Sequence, residues 1–230
     1  MSIYVTGDIH GTQDLKKITP EQWKQYRPGD TLIICGDFGL IWSNGYNPLE
    51  DKYLKLLSSM PIQICFVDGS HENFNRLEND YPKIAWKGGY VHRIRDNIFH
   101  LIRGNIYTIE NKNIFCLGGG CTIDTDKRII NRNYWKRESI DENDIAYAWN
   151  NLRRYHNQVD IVITHTCPIS FAVDIVETEK DKLRFQDKNL AILEEFYKKI
   201  TFKKWYFGCW HKDRKVGNEG IAVFKLIHKI

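Results

Sequence analysis

Residues 3–11 read IYVTGDIHG, a short apolar and β-branched run that closes on a glycine, a carboxylate and an imidazole. Such a run, bounded by glycine, predicts a buried strand, and Asp8 and His10 fall just past its C-terminal end. The arrangement returns along the chain in TLIICGD (31–37), IQICFVDG (62–69), NIFCLGGG (113–120), VDIVITH (159–165) and KKWYFGC (203–209). Between these runs lie helical patterns. Thr19, Pro20, Glu21 and Gln22 read as an N-cap, a first-turn proline and a capping-box glutamine ahead of Trp23 and Tyr26. Ser139, Ile140, Asp141 and Glu142 read as a second capping box, opening a helix to about Tyr155. Further helices are predicted over 48–59 and 187–200, the latter with Leu190, Leu193, Phe196 and Tyr197 on one face. Strands alternating with helices predict α/β layers, and the denser strands over 92–117 and near the C-terminus predict antiparallel hairpins. The expectation is two packed sheets with helices outside, in one domain over residues 1–230.

Composition narrows the function classes. The 42% apolar content of 230 residues suffices for a substantial core. No run approaches the roughly 18 apolar residues of a membrane span, and MSIYVTGDIHG enters a strand without a leader, so a cytoplasmic protein is expected. Cys35, Cys65, Cys116, Cys121, Cys167 and Cys209 lack disulfide-framework spacing and read as reduced thiols. A formal charge of +4, spread along the chain, supports nucleic acid only weakly and is compatible with an anionic substrate. The stretch KRIINRNYWKRES (127–139) interleaves Arg128, Arg132, Lys136 and Arg137 with Tyr134 and Trp135. It reads either as a phosphate grip with a base-stacking surface, Arg128 and Arg132 being its candidate substrate ligands, or as a solvated loop.

The polar residues gather at strand ends: Asp8 and His10, Asp37, Ser70 and His71, His165, then His211. In layered α/β proteins strand ends converge on the ligand site, so residues distant in sequence meet there. One aspartate at such a place is ordinarily a cap and one histidine ordinarily a bonded core residue. Carboxylates and imidazoles arriving together call for a cation, and this donor set suits manganese, zinc, iron or nickel.

The motifs GDIHG (7–11), GDFG (36–39), GSHE (69–72), TH (164–165) and GCWH (208–211) fall in the order of the calcineurin-like metallophosphoesterase signature, which the chain resembles from Asp8 to His211. The resemblance implies a four-layer α/β/β/α sandwich around two divalent metal ions. It implies that Asp8, His10 and His211 bind the first ion, that Asp37 bridges both and that His165 binds the second. It further implies hydrolysis of a phosphate ester by a metal-bound hydroxide, with His71 as general acid at the leaving group.

Two positions depart from that signature, and both fall on the second ion. Ser70 replaces an asparagine and Cys209 replaces a histidine. A serine hydroxyl is a poor ligand, whereas a thiolate binds zinc or ferrous iron well. Three readings stay open: two ions with shifted selectivity, one tightly held ion, or a degenerate site that binds phosphate ligands without turnover. Relatives acting on phosphoproteins continue the second motif as GDxxDRG, and here it reads GDFGLIW. The missing arginine favours a phosphodiester, a nucleotide or cyclic nucleotide, with a metal-dependent nuclease as an alternative. Gly118, Gly119 and Gly120 read as a phosphate cradle or a tight loop, and Trp42, Trp135 and Trp210 as base-stacking or core residues.

Overall fold

The computed structural model describes residues 1–18, 24, 26–123 and 125–230. The first helix expected from sequence, beginning at Thr19, lies outside the described residues. Within them the chain forms β1 (Ile3–Thr6), β2 (Thr31–Ile34), β3 (Gln63–Phe66), β4 (Lys83–Trp86), β5 (Gly89–Arg95), β6 (Ile98–Leu101) and β7 (Asn105–Ile109). There follow β8 (Lys112–Leu117), β9 (Ile161–Thr164), β10 (Lys204–Phe207), β11 (Arg214–Val216), β12 (Gly220–Ala222) and β13 (His228–Lys229). They assemble into two mixed sheets, ordered β13-β1-β2-β3-β6-β5-β4 and β11-β12-β10-β9-β8-β7. In the first sheet β1, β2, β3 and β6 run parallel; in the second β12, β10, β9 and β8 do. The antiparallel pairs stand at the margins, joining β4, β5 and β6, β7 and β8, β11 and β12, and β13 to β1.

The period-two pattern of these strands explains the layering. Ile3, Val5, Ile33, Cys65, Ile114, Cys116, Ile161 and Ile163 share one core, which lies between the sheets because it draws from both. The alternate residues Tyr4, Leu32, Ile34, Ile64 and Phe66 pack outward against Leu54 and Leu57 of α1 (Pro48–Ser58) and Leu77 of α2 (Phe74–Asn79). On the far side Phe115, Leu117, Val162 and Phe207 pack against Leu152 of α3 (Glu142–Arg154), Phe171 and Ile175 of α4 (Ile169–Ile175) and Leu193 and Phe196 of α6 (Asn189–Lys199). Between these last two runs α5 (Glu179–Arg184). The result is the four-layer α/β/β/α sandwich. Among the described residues no helix is long and apolar enough to cross a membrane, and all six cysteines are free.

Local signals located the three longest described helices. Asn47 caps α1 by accepting from Leu49 and Glu50 N–H, and Pro48 takes the first turn, where its missing N–H costs nothing. The cap of α3 is not at Ser139. The helix begins at Glu142, and Asp141 forms the capping box with Asp144. Ser139 is extended (φ −78°, ψ 146°), its carbonyl accepts from Arg103, and the Ile140 N–H donates to Asn189 Oδ1. Those tertiary bonds hold the backbone out of the helix until residue 141. The short helices α2, α4 and α5 carried too little periodicity to be foreseen.

Candidate metal centre

The parallel strands of both sheets deliver their C-terminal ends to one edge, and the loops leaving them carry the site. From β1 come Asp8 and His10, from β2 Asp37, from β3 Ser70 and His71, from β9 His165, and from β10 Cys209 and His211. Three overlapping groups form: Asp8, His10 and His211; His10, Asp37 and His71; and Asp8, Asp37 and His165. In each, one ligand atom per residue lies within 4.8 Å of the others. Cys209 joins none of them among the described residues.

Asp8 is fully buried. One oxygen lies 3.0 Å from His211 Nε2, and the other accepts the Cys209 N–H at 2.9 Å. His10 presents Nε2 to Asp8 at 3.8 Å and to Asp37 at 3.4 Å, its Nδ1 being held 3.0 Å from Asp14. Bonding the far nitrogen in this way fixes the ring for a ligand at the near one. The Lys17 ammonium donates to the carbonyls of Gly7, Asp8 and Phe224 and so ties the loop down from beneath. Phe224 in turn stacks on His211 with ring centroids 4.7 Å apart.

Around Asp37 the frame is equally tight. Oδ1 accepts the backbone N–H groups of Ser70 (2.6 Å) and His71 (2.9 Å), and Oδ2 lies 2.8 Å from His71 Nδ1. His165 is buried, with Nδ1 on the Cys35 carbonyl at 3.0 Å and Nε2 toward Asp37 at 3.5 Å. Against burial, the Asp37 charge and the nearby Cys209 thiol raise its pKa well above the ordinary histidine value. The Ser70 hydroxyl lies 3.5 Å from Asp37 Oδ1 and 3.2 Å from His71 Nδ1. Glu72 is fully buried and accepts from Phe38, Gly39 and Gly69 N–H, stapling the Asp37 loop to the His71 loop.

Backbone geometry explains the glycines of the motifs. A Cβ on Gly69 would collide with the Asp37 carboxylate, and one on Gly208 with that of Asp8. His10, Asp37, Cys209 and His211 all have φ between 47° and 62°, a left-handed conformation that costs a side-chain-bearing residue of order 1 kcal/mol each. Such strain gathers where loops must turn several side chains to one point.

Electrostatics favour a cation. Burial penalises the Asp37 carboxylate, yet the charges of His165 and His71 outweigh it and hold its pKa well below the usual range. For His10 burial opposes the charged form, but Asp37 and Asp8 raise it to about 9. The Asp37 charge likewise raises His71, against burial. Two buried carboxylates thus draw protons onto the imidazoles around them, which are the positions divalent ions would take over. The donor set fits such ions by type, geometry and charge.

A cavity of about 620 Å³ opens over this cluster. Arg128, Arg184, Cys121, Thr122, Leu183 and Phe224 line its walls, with Gln13, Asp14, Ile123 and Asp187 completing them. Arg132 is exposed and is not among the lining residues. Trp135 and Trp210 are buried and offer no stacking face, whereas Trp42 stacks on His71 at 5.4 Å. The glycine run packs as a loop: Gly119 N–H donates to the Asp68 carbonyl and Gly120 N–H to that of Glu138, leaving neither for a phosphate. Sequence reasoning missed Asp14, Lys17, Arg184 and Asp187. The i+4 spacing of Asp14 from His10 was the one available signal.

The calcineurin-like phosphoesterase family matches residues 1–201. Among solved structures the chain is similar to a phosphopantetheinyl hydrolase from Mycobacterium tuberculosis, with 14% identity, 97% of this chain and 89% of that chain covered, and a TM-score of 0.47. No curated protein matches it.

Proposed function

This chain belongs to the calcineurin-like phosphoesterase family, and we propose that it hydrolyses a phosphodiester, of the nucleotide or cyclic nucleotide class, with His71 as general acid. Metal-dependent hydrolysis of phosphoesters is the chemistry of the family. The observation that carries the reading is the convergence of Asp8, His10, Asp37, His71, His165 and His211 into overlapping groups of three, with His10, Asp37, His71 and His211 lining one cavity. Asp8, His10 and His211 would hold one divalent ion and His165 a second, with Asp37, which faces both His10 and His165, shared between them. Bound there, such ions supply Lewis-acid polarisation of the phosphoryl group and an activated water.

The chain's own residues do the rest. His71 Nδ1 is engaged by Asp37 and Ser70, so Nε2 is the atom left to give a proton to a departing alkoxide. Without metal, the Asp37 charge raises that imidazole's pKa. Arg128 and Arg184 supply positive charge from the cavity walls. In the GDFGLIW loop, Phe38, Leu40 and Ile41 all turn into the core, so that loop brings no cation to grip a terminal phosphate. A diester carries one charge fewer than a monoester and has less need of that grip.

The test is turnover of bis(p-nitrophenyl) phosphate, of the monoester and of a cyclic nucleotide, after loading with manganese and separately with zinc. The expected result is diester hydrolysis exceeding monoester hydrolysis, falling as the His71 imidazole loses its proton with rising pH. Asp37→Asn should lose more than the roughly 10–100-fold that removal of an outer partner costs. A flat rate from neutral to alkaline pH would remove His71 from its role.

One observation favours a second reading, a phosphate-ligand binder with an incomplete second ion site: Cys209 stands outside all three donor groups. Retention of biological activity in Asp37→Asn would select it.

A further inference from the structure

Arg103 lies in the turn that carries the chain from β6 in one sheet to β7 in the other, and it is 3% exposed. All five N–H groups of its guanidinium have acceptors. Nε donates to Asp68 Oδ2 at 2.8 Å, and Nη2 donates to the same oxygen and to the Glu138 carbonyl at 2.9 Å. Nη1 donates to the Ser139 carbonyl at 3.0 Å and to Asp144 Oδ2 at 2.9 Å. A planar fork with five fixed donors satisfies two carboxylates and two carbonyls at once, which a lysine cannot do.

Two of these acceptors, Asp68 and Glu138, connect directly to segments that line the cavity, near His71 and through Thr122. Asp68 is 1% exposed and stands three residues before His71; its second oxygen meets His100 Nε2 at 3.0 Å, and its carbonyl accepts the Gly119 N–H. The Glu138 carbonyl also accepts the Gly120 N–H, and the Glu138 carboxylate bonds the hydroxyl of Thr122, a cavity-lining residue. Asp144 belongs to the first turn of α3 and is chelated by Arg137, whose Nε reaches Glu78. Arg103 therefore joins the His71 loop of one sheet to the Gly118–Gly120 and Thr122 wall of the other.

We propose that Arg103 is a positioning residue for the reaction, setting His71 against the opposite wall of the cavity across the boundary between the sheets; this rests on the phosphoesterase reading above. A buried ion network is weak evidence for net stability, since apolar packing often does as well. What apolar packing cannot supply is a fixed register between two loops, and bonds to both loops from one rigid group do supply it.

The experiment compares Arg103→Lys with Leu152→Ala, a core control in α3 outside the site, in metal-loaded protein. Arg103→Lys should lower kcat by about tenfold or more with KM held within about twofold, and shift the His71 imidazole proton–nitrogen correlation. Leu152→Ala should lower Tm and leave both readouts in place. Loss of kcat in Arg103→Lys no greater than in Leu152→Ala overturns the proposal, as does an unmoved His71 signal. Should Arg103→Lys fail to fold, Asp144→Asn takes its place, with a threefold or greater fall in kcat at unchanged KM expected and an unchanged kcat overturning it. Absence of any turnover in the wild-type protein would count against the phosphoesterase reading alone. The His71 signal would then decide: displaced in the substituted protein and not in Leu152→Ala, it upholds Arg103; displaced equally in both, it overturns it.

Discussion

Asp8, His10 and His211 sit in a frame with three imidazole or carboxylate donors in place, whereas Asp37 and His165 sit in a frame just as rigid with weaker companions. On the first side His10 is braced by Asp14, the loop by Lys17 and His211 by Phe224. On the second, His165 is braced by the Cys35 carbonyl and Asp37 by two backbone N–H groups, but Ser70 turns its hydroxyl to Asp37 and His71, and Cys209 lines the cavity without joining a donor group. Ligands and frame are therefore separable. On the second side the frame is made largely of backbone groups, which survive side-chain replacement, so a candidate ligand there can be exchanged without loosening its neighbours.

The comparison breaks most visibly through Lys17. Lys17→Met keeps the aliphatic stem but leaves the Gly7, Asp8 and Phe224 carbonyls without their shared donor. Affinity for an ion at Asp8, His10 and His211 should fall roughly 10–100-fold, read by competition with a chelator, while any ion at Asp37 and His165 is little changed. Equal losses at both would show the two halves to be one mechanical unit. A sharpening change runs the other way. Ser70→Asn with Cys209→His restores the pattern of the relatives within an intact frame, and should tighten the second ion by about tenfold or more without altering the first, as measured by calorimetry with manganese. No gain would mean that the frame, and not the ligand, limits the second side.

The smallest expected effect concerns stability. Burial pushes the Glu138 carboxyl up to about 8, against its bond from Thr122, and His10 is raised to about 9. Groups whose pKa is higher folded than unfolded hold protons more tightly when folded. Their contribution is full below the unfolded values and is lost as pH rises through about 8 and 9. Metal-free protein should therefore melt at progressively lower temperature from pH 6 to 9. Glu138→Gln should recover on the order of 1 kcal/mol at the alkaline end. Parallel melting curves for the two proteins across that range would remove Glu138 from the account.

Much of this was legible one strand at a time. A short apolar run closing on glycine or a polar residue repeats at 3–11, 31–37, 62–69, 159–165 and 203–209, and each run became a strand whose end meets the shared edge. Local pattern failed where a tertiary bond overruled it. Ser139 met the capping rule, but its carbonyl belongs to Arg103 and the next N–H to Asn189, which moved the cap to Asp141. Arg132 and Arg128 looked alike in sequence, and only Arg128 faces the cavity.

The sequence by itself determined the strands, the layers they form and the residue types that meet at their ends, because period, glycine placement and burial preference are local properties of a chain. Tertiary structure alone decided which groups stand behind the ligands. Lys17, Arg103 and Phe224 act through contacts with segments as distant as Phe224 from Lys17, and Arg103 reaches Asp68, Glu138 and Asp144 at once. No periodicity marks such partners, since a hydrogen bond depends on where two atoms lie in space and not on how far apart they stand along the chain.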